Sequence, residues 1–161
     1  MLLKLKSFLK DEVILSKEEI KAIRDYFNVI LSYKEIGVEK PVDVLEEVYK
    51  TFKDIYSYTG VVYRGVFIDN SWNTYKHQDG ICSFTNNKNV AENFAMNGDC
   101  GDAYLLTQEV SNGLDFAELL NELYDKGILL IDDIETFLGE DEVLCYVQED
   151  CKATKMFTLG E

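Results

Sequence analysis

The chain changes the period of its apolar residues once, near residue 60, and this change constrains the fold more than any other feature. Before that point, apolar residues recur at the three- and four-residue spacing of amphipathic helices. The clearest series is Ile20, Ile23, Tyr26, Phe27 and Ile30. After that point, β-branched and aromatic runs predict strands, beginning with residues 61–67. We therefore expect an α+β fold, with a helical segment over residues 1–60 and a core of strands over residues 61–161.

Local signals predict where several elements begin and end. Ser16 and Glu19 have the spacing of a capping box, which predicts a helix start at that point. Pro41 fits the first turn of a further helix, and Gly60 is expected to end it. Further strands are predicted at three ranges, residues 81–84, 103–110 and 140–147.

Length and composition predict one domain that holds no metal. The 161 residues suffice for a single hydrophobic core, and neither a repeat nor a linker divides them, so we expect one domain. We separately expect the protein to be a monomer. Four cysteines and one histidine, His77, lack the clustered spacing of a zinc site. Lysines interrupt the apolar N-terminus too early for a signal peptide, and no apolar run is long enough to span a membrane. We therefore expect a cytoplasmic protein without membrane contact.

An excess of acidic residues is the strongest signal in the composition. Thirty Asp and Glu residues against sixteen Lys and Arg residues give a formal net charge of −14. Such a surface repels phosphate backbones, which disfavours a nucleic-acid substrate and favours a basic protein partner. Two alternatives remain open: the acidity serves only solubility, or the protein imitates DNA and occupies a nucleic-acid-binding partner.

Two motifs place polar groups in otherwise apolar strands. Arg64 interrupts the first predicted strand, and its planar guanidinium suits a two-point grip on a diphosphate or a carboxylate. Ser83 and Thr85 are two residues apart on a strand, so their hydroxyls share one face while Phe84 points the other way. Such hydroxyls can position a ribose or a neighbouring carboxylate. The alternatives are a structural ion pair for the arginine and helix capping for the hydroxyls.

Glu140 and Glu142 form the third motif. On a strand, these two carboxylates project to the same side, and two like charges so close need a reason to be tolerated. A cationic partner, or a transition state that carries positive charge, would provide that reason. The alternative is a solvated acidic turn. The apolar residues 143–145 follow at once and favour the first interpretation, because they draw the acids toward the core.

In order and spacing, the three motifs resemble those of the Arg-Ser-Glu class of mono-ADP-ribosyltransferases. This class includes bacteriophage enzymes that modify host proteins and vertebrate arginine-specific enzymes. Residues 62–65 (V-Y-R-G) are similar to the first-strand motif of the family, and residues 140–144 (E-D-E-V-L) to its E-x-E-V-L strand. Residues 83–85 (S-F-T), with Ala91 and Phe94, are similar to its S-x-S/T strand and the helix that follows. The likeness covers residues 61–147.

The resemblance implies a mixed β-sheet core of two packed sheets that binds NAD as a co-substrate. It implies cleavage of the nicotinamide–ribose bond and transfer of ADP-ribose to an arginine of a target protein. The transition state of such a cleavage carries positive charge on the ribose. Glu142 would stabilise that charge, Ser83 would hold Glu142 and the ribose in position, and Arg64 would bind the diphosphate. Glu140 would draw in the acceptor guanidinium and help to remove its proton.

The resemblance implies further contacts and leaves related functions open. The other contacts to NAD would come from Gly65, Phe84, Thr85 and Phe94. Phe137 would contact the acceptor protein, whose surface is expected to be basic. The likeness to phage enzymes implies an effector that acts in the cytoplasm of a host. Two related functions stay open: an NAD glycohydrolase, for which water is the acceptor, and an inactive homologue that binds NAD without chemistry.

Overall fold

The computed structural model describes residues 1–36, 41–68, 80–96, 101–137 and 139–159. Within these ranges the protein has mixed α and β structure, with six α-helices and five β-strands. The helices are α1 (Leu2–Leu9), α2 (Lys17–Ile36), α3 (Val42–Phe52), α4 (Lys88–Met96), α5 (Phe116–Asp125) and α6 (Ile131–Ile134). The strands are β1 (Ser57–Ile68), β2 (Ile81–Thr85), β3 (Gly101–Asp115), β4 (Glu142–Tyr146) and β5 (Lys152–Leu159). A turn of 3₁₀ helix, Glu135–Phe137, follows α6 directly.

Three helices precede the first strand, as the sequence predicts, and the last of them ends at Phe52. The predicted capping box begins α2: the Ser16 N–H donates to Glu19 Oε1 at 3.0 Å, and the Glu19 N–H donates to Ser16 Oγ at 3.1 Å. The apolar stripe of α2 is buried, with Ile23, Phe27 and Ile30 at 1% exposure or less. This stripe belongs to the larger of two hydrophobic cores, which also takes side chains from α1, α3 and α5 and one buried side chain each from β2, β3 and β4.

The boundary predicted at Gly60 is wrong. Helix α3 ends at Phe52 and β1 begins at Ser57, so Gly60 lies inside the strand. Its φ is 147°, and the pairing of β1 with β3 shifts register between Tyr58 and Gly60. A β-bulge of this kind needs a backbone angle that residues with a Cβ rarely adopt, which explains the glycine.

All described strands belong to one antiparallel sheet that closes on itself. Their order is β1-β2-β4-β3-β5, and β1 also pairs with β3. Strands β1 and β3 pair along most of their length, and β1 meets β2 where Tyr63 lies opposite Thr85. The end of β3 reaches β4, with Leu114 opposite Leu144. Strands β1, β2, β4 and β3 therefore form a ring of hydrogen-bonded neighbours.

In the described residues every pairing is antiparallel, so the expected mixed pairing is wrong there, and the strands that were expected in two packed sheets are joined into one sheet. The reason is the length of β3, which has 15 residues. Its first part pairs with β1 and β5, and its end pairs with β4, so one strand joins what would otherwise be two sheets. The ring strands supply the second, smaller core, which consists of Val62, Cys82, Phe84, Leu106, Val110, Val143 and Cys145.

The described residues contain neither a membrane-spanning helix nor a metal-binding cluster. No helix in these ranges combines the length and the apolar character needed to cross a bilayer. In the same ranges, no group of three or more His, Cys, Asp or Glu side chains is placed to hold a metal ion. Cys82 and Cys145 are buried, and Cys151 is partly buried. His77 lies outside the described residues.

Candidate functional site

A cavity of about 610 Å³ lies where β1, β2 and the start of β4 meet side chains of α2 and α4. Its volume falls within the range of about 300–1,000 Å³ that is common for small-molecule sites. Among the described residues, its lining consists of Tyr33, Tyr63, Arg64, Gly65, Ser83, Phe84, Thr85, Ala91, Phe94, Phe137, Glu140 and Glu142. These residues come from distant parts of the chain, so only the folded chain brings them together.

All nine residues that the sequence predicts for the site line this one cavity. They are Arg64, Gly65, Ser83, Phe84, Thr85, Phe94, Phe137, Glu140 and Glu142. Tyr63 and Ala91 also line it, and both belong to the motif segments, so the motifs themselves indicated them. Tyr33 is different, because it comes from α2 and nothing in the sequence connects that helix with the strands.

Arg64 joins the two strands that carry the first two motifs. It lies on β1 with its side chain half buried, and its Nη1 donates to the backbone carbonyl of Ser83 at 2.6 Å. Strands β1 and β2 meet at the neighbouring pair Tyr63 and Thr85, so this side-chain bond reinforces a short strand contact. The guanidinium therefore has a structural role, and it also brings positive charge to the cavity wall.

Gly65 allows α4 to lie directly on β1. A Cβ at this position would stand 1.8 Å from the carbonyl oxygen of Ala91 and 2.7 Å from the backbone nitrogen of Ala95. Only a residue without a side chain permits this approach of helix backbone to strand backbone. The approach also places Phe94 at the cavity, where its side chain is 51% exposed. The structure thus explains Gly65 by packing, and its predicted contact with NAD stays a prediction.

Thr85 connects the second motif with the third. Its Oγ1 donates to the backbone carbonyl of Glu140 at 2.7 Å and accepts from the Asn87 N–H at 3.0 Å. Because Thr85 is buried, these bonds satisfy a hydroxyl that would be costly to bury alone. The neighbouring Phe84 is 2% exposed and belongs to the smaller core, while Ser83 is half buried at the cavity.

Both glutamates of the third motif line the cavity, but they do not reach it as alternate residues of one strand. Strand β4 begins at Glu142, and Asp141 before it has a φ of 49°, in the left-handed region. The prediction that strand alternation aligns Glu140 with Glu142 is therefore wrong, because Glu140 belongs to a turn. Glu142 is 4% exposed, and a carboxylate at this depth is a costly arrangement that is typical of functional sites.

Cys145 lies in the smaller core beside the cavity and is held as a neutral thiol. Burial raises its pKa to about 12. The hydrogen bond from Gln108 and the charge of Arg64 act in the opposite direction, but their effect on the pKa is smaller than that of burial. The Gln108 Nε2 contacts its sulfur at 3.4 Å. Because the thiolate is the reactive form of cysteine, this residue is not a nucleophile at neutral pH.

The chain matches no protein-family model, no curated protein and no solved structure. The chemistry of the cavity therefore follows from its lining alone. A guanidinium, two aliphatic hydroxyls, two phenolic hydroxyls and two carboxylates belong to its polar lining, and aromatic rings from β1, β2, α2, α4 and the turn after α6 also line it. Such a site suits a ligand that combines anionic groups, sugar hydroxyls and flat rings.

Proposed function

We propose that this protein is an NAD-dependent mono-ADP-ribosyltransferase that modifies arginine side chains of a target protein. The observation that carries the proposal is the lining of one cavity by Arg64, Ser83, Glu140 and Glu142. The sequence links these residues only through the resemblance to the Arg-Ser-Glu class, and they are up to 78 positions apart in the chain. Chance seldom places an entire predicted site around a single cavity.

Glu142 stabilises the positive charge that develops on the ribose as the bond to nicotinamide breaks. A buried carboxylate suits this role, because charge stabilisation is stronger where water is excluded. The Ser83 hydroxyl orients the ribose, and the Arg64 guanidinium binds the diphosphate in addition to holding β2. The cavity volume and this set of donors and acceptors fit a dinucleotide.

Glu140 serves the acceptor. It attracts the guanidinium of the target arginine and takes the proton that leaves when the nitrogen of that arginine bonds to the ribose carbon. Phe137, whose backbone carbonyl accepts the Glu140 N–H at 3.3 Å, also lines the cavity and contacts the acceptor protein. The net charge of −14 supports a basic target surface rather than a nucleic acid. We further propose that the protein acts as a monomer in the cytoplasm, as a phage effector would in its host.

The fold supports the proposal at a coarser level. The sheet can be divided into two parts that pack against the smaller core. One part is β2 with β4, and the other is β1 with β3 and β5. We propose that these parts correspond to the two packed sheets of an ADP-ribosyltransferase domain, and that β3 joins them.

The direct test incubates the purified protein with NAD and with agmatine, a small guanidine that substitutes for the target arginine. Wild-type protein should release nicotinamide and form ADP-ribosyl-agmatine, both measured by mass spectrometry. Glu142→Gln should slow both reactions by roughly two orders of magnitude or more. Glu140→Gln should leave NAD hydrolysis intact and abolish transfer to agmatine.

Glu149→Gln is the matched control, because Glu149 is an exposed acid outside the cavity. It removes the same charge and should leave both reactions at the wild-type rate. Release of nicotinamide without any transfer to agmatine or to lysate proteins would identify an NAD glycohydrolase instead. A protein that binds NAD but releases no nicotinamide would be an inactive homologue. Absence of NAD binding would refute the proposal and favour an acidic inhibitor.

A further inference from the structure

One short segment carries two residues of the cavity wall and is held at one end by the sheet. We call residues 130–137 and 139–141 the acceptor-side segment, because it contains Phe137 and Glu140. At its end nearest β4, Thr85 Oγ1 donates to the carbonyl of Glu140 at 2.7 Å, and the Asn86 N–H donates to the carbonyl of Asp141 at 3.2 Å. The sheet therefore fixes this end.

The other end of the segment begins with α6, which needs stabilising contacts beyond its own backbone hydrogen bonds. A helix of four residues has no stability of its own, because nucleation costs more than so few hydrogen bonds return. Two features provide that support. Ile134 is buried in the larger core, and the carboxylate of Asp133 accepts the N–H of Leu130 at 2.7 Å, which caps the first turn.

The same carboxylate binds an arginine of the helical segment. Arg24, on α2, donates from Nε to Asp133 Oδ2 at 3.0 Å and from Nη2 to Asp133 Oδ1 at 3.4 Å. The two residues are 109 positions apart in the chain. Their side chains are 36% and 11% exposed, so this pair is less hydrated than the Lys21–Asp25 pair on the same helix, whose side chains are 78% and 62% exposed.

We infer that Arg24 is a positioning residue for the acceptor side of the site. Its two-point ion pair with Asp133 holds α6, and through α6 it sets where Phe137 and Glu140 stand in the cavity wall. The inference rests on the proposed function, which supplies the acceptor. Glu142 is held by β4, independently of α6. Loss of the ion pair therefore affects the acceptor reaction and spares the reaction with NAD.

The kinetic test compares Arg24→Gln with Lys21→Gln, which removes an equal charge and another ion pair from the same helix. Arg24→Gln should raise KM for agmatine by about fivefold, the size expected from loss of a partly exposed ion pair, and should leave KM for NAD unchanged. Lys21→Gln should match the wild type. Arg24→Lys should restore part of the loss, because lysine keeps the charge but not the two-point geometry.

Hydrogen exchange tests the same inference without any substrate. Peptides that cover residues 130–141 should exchange faster in Arg24→Gln than in the wild type, and at the wild-type rate in Lys21→Gln. If wild-type protein neither consumes NAD nor modifies agmatine, the proposed function fails, and exchange alone decides whether Arg24 holds the segment. Unchanged exchange in Arg24→Gln, or equal changes in both KM values, would overturn the inference.

Discussion

Replacement of Gly65 by alanine is expected to displace α4 from β1 and to destabilise the protein. The added Cβ would lie 1.8 Å from the carbonyl oxygen of Ala91, a distance that must grow to at least 3.0 Å, an increase of 1.2 Å. Strand β1 cannot yield readily, because it is paired with β3 along most of its length. The helix must therefore move, and it carries Ala91 and Phe94 away from the cavity.

The magnitude follows from the kind of atom that the new methyl group meets. Overpacking in a close-packed interior costs about 1–3 kcal/mol, and we expect about 3 kcal/mol for Gly65→Ala, because the clash is with backbone atoms. Gly113→Ala is the matched control. There, the Cβ would lie 2.8 Å from Cγ1 of Val143, a side-chain atom rather than backbone, and the distance must grow by only 0.2 Å to reach 3.0 Å, so we expect about 1 kcal/mol.

The assay is urea unfolding followed by far-UV circular dichroism, which reports the free energy of unfolding of each variant. The proposed function adds a second readout: the affinity for NAD, measured by calorimetry on the folded variants, should fall for Gly65→Ala and remain unchanged for Gly113→Ala. Equal losses of unfolding free energy in the two variants would refute the reasoning, since they would mean that α4 does not lie on β1 at this distance.

Three smaller perturbations test other parts of the structure. Thr85→Val removes a buried hydroxyl that makes two hydrogen bonds, so it should lower the free energy of unfolding in urea by about 2 kcal/mol. The control is Thr59→Val at an exposed position, which should change the free energy of unfolding by less than about 0.5 kcal/mol. The hydrogen bond from Lys4 is the main cause that lowers the pKa of Glu19 to about 2. The resulting stability is present above pH 4.5 and is lost as the pH falls toward 2, so acid should lower the urea midpoint of the wild type more than that of Glu19→Gln. Burial raises the pKa of Cys145 to about 12, so iodoacetamide at mildly alkaline pH should alkylate this thiol only after denaturation; peptide mass spectrometry that finds it alkylated in the native protein would contradict its burial.

Local patterns in the sequence predicted most of the elements. The Ser16 and Glu19 capping box and the apolar stripe of α2 depend on residues within a few positions of one another, so a short window contains all the information needed. The same holds for β2, predicted over residues 81–84 and observed at Ile81–Thr85. Gly60 misled the prediction because a glycine with a positive φ serves a bulge as well as a helix end.

The sequence predicted which residues line the cavity, but not the backbone conformation that brings Glu140 to it. The three motifs, together with the family resemblance that they carry, indicated all nine predicted residues, yet strand alternation was the wrong reason for pairing Glu140 with Glu142. The turn at Asp141, with its φ of 49°, depends on hydrogen bonds from Asn86 and Asn87 across the β2–β4 boundary. No pattern within residues 140–144 contains that information.

The sequence by itself determined the helical lead-in, most of the strands that follow it and the identity of the polar residues that line the cavity. It did so because the period of the apolar residues and the composition of each short motif are properties of neighbouring residues. Only the tertiary structure decided that the strands close into one sheet, that Tyr33 reaches the cavity from α2, and that Arg24 binds Asp133. These contacts join positions far apart in the chain, and they form where packing and hydrogen bonding in three dimensions bring the partners together.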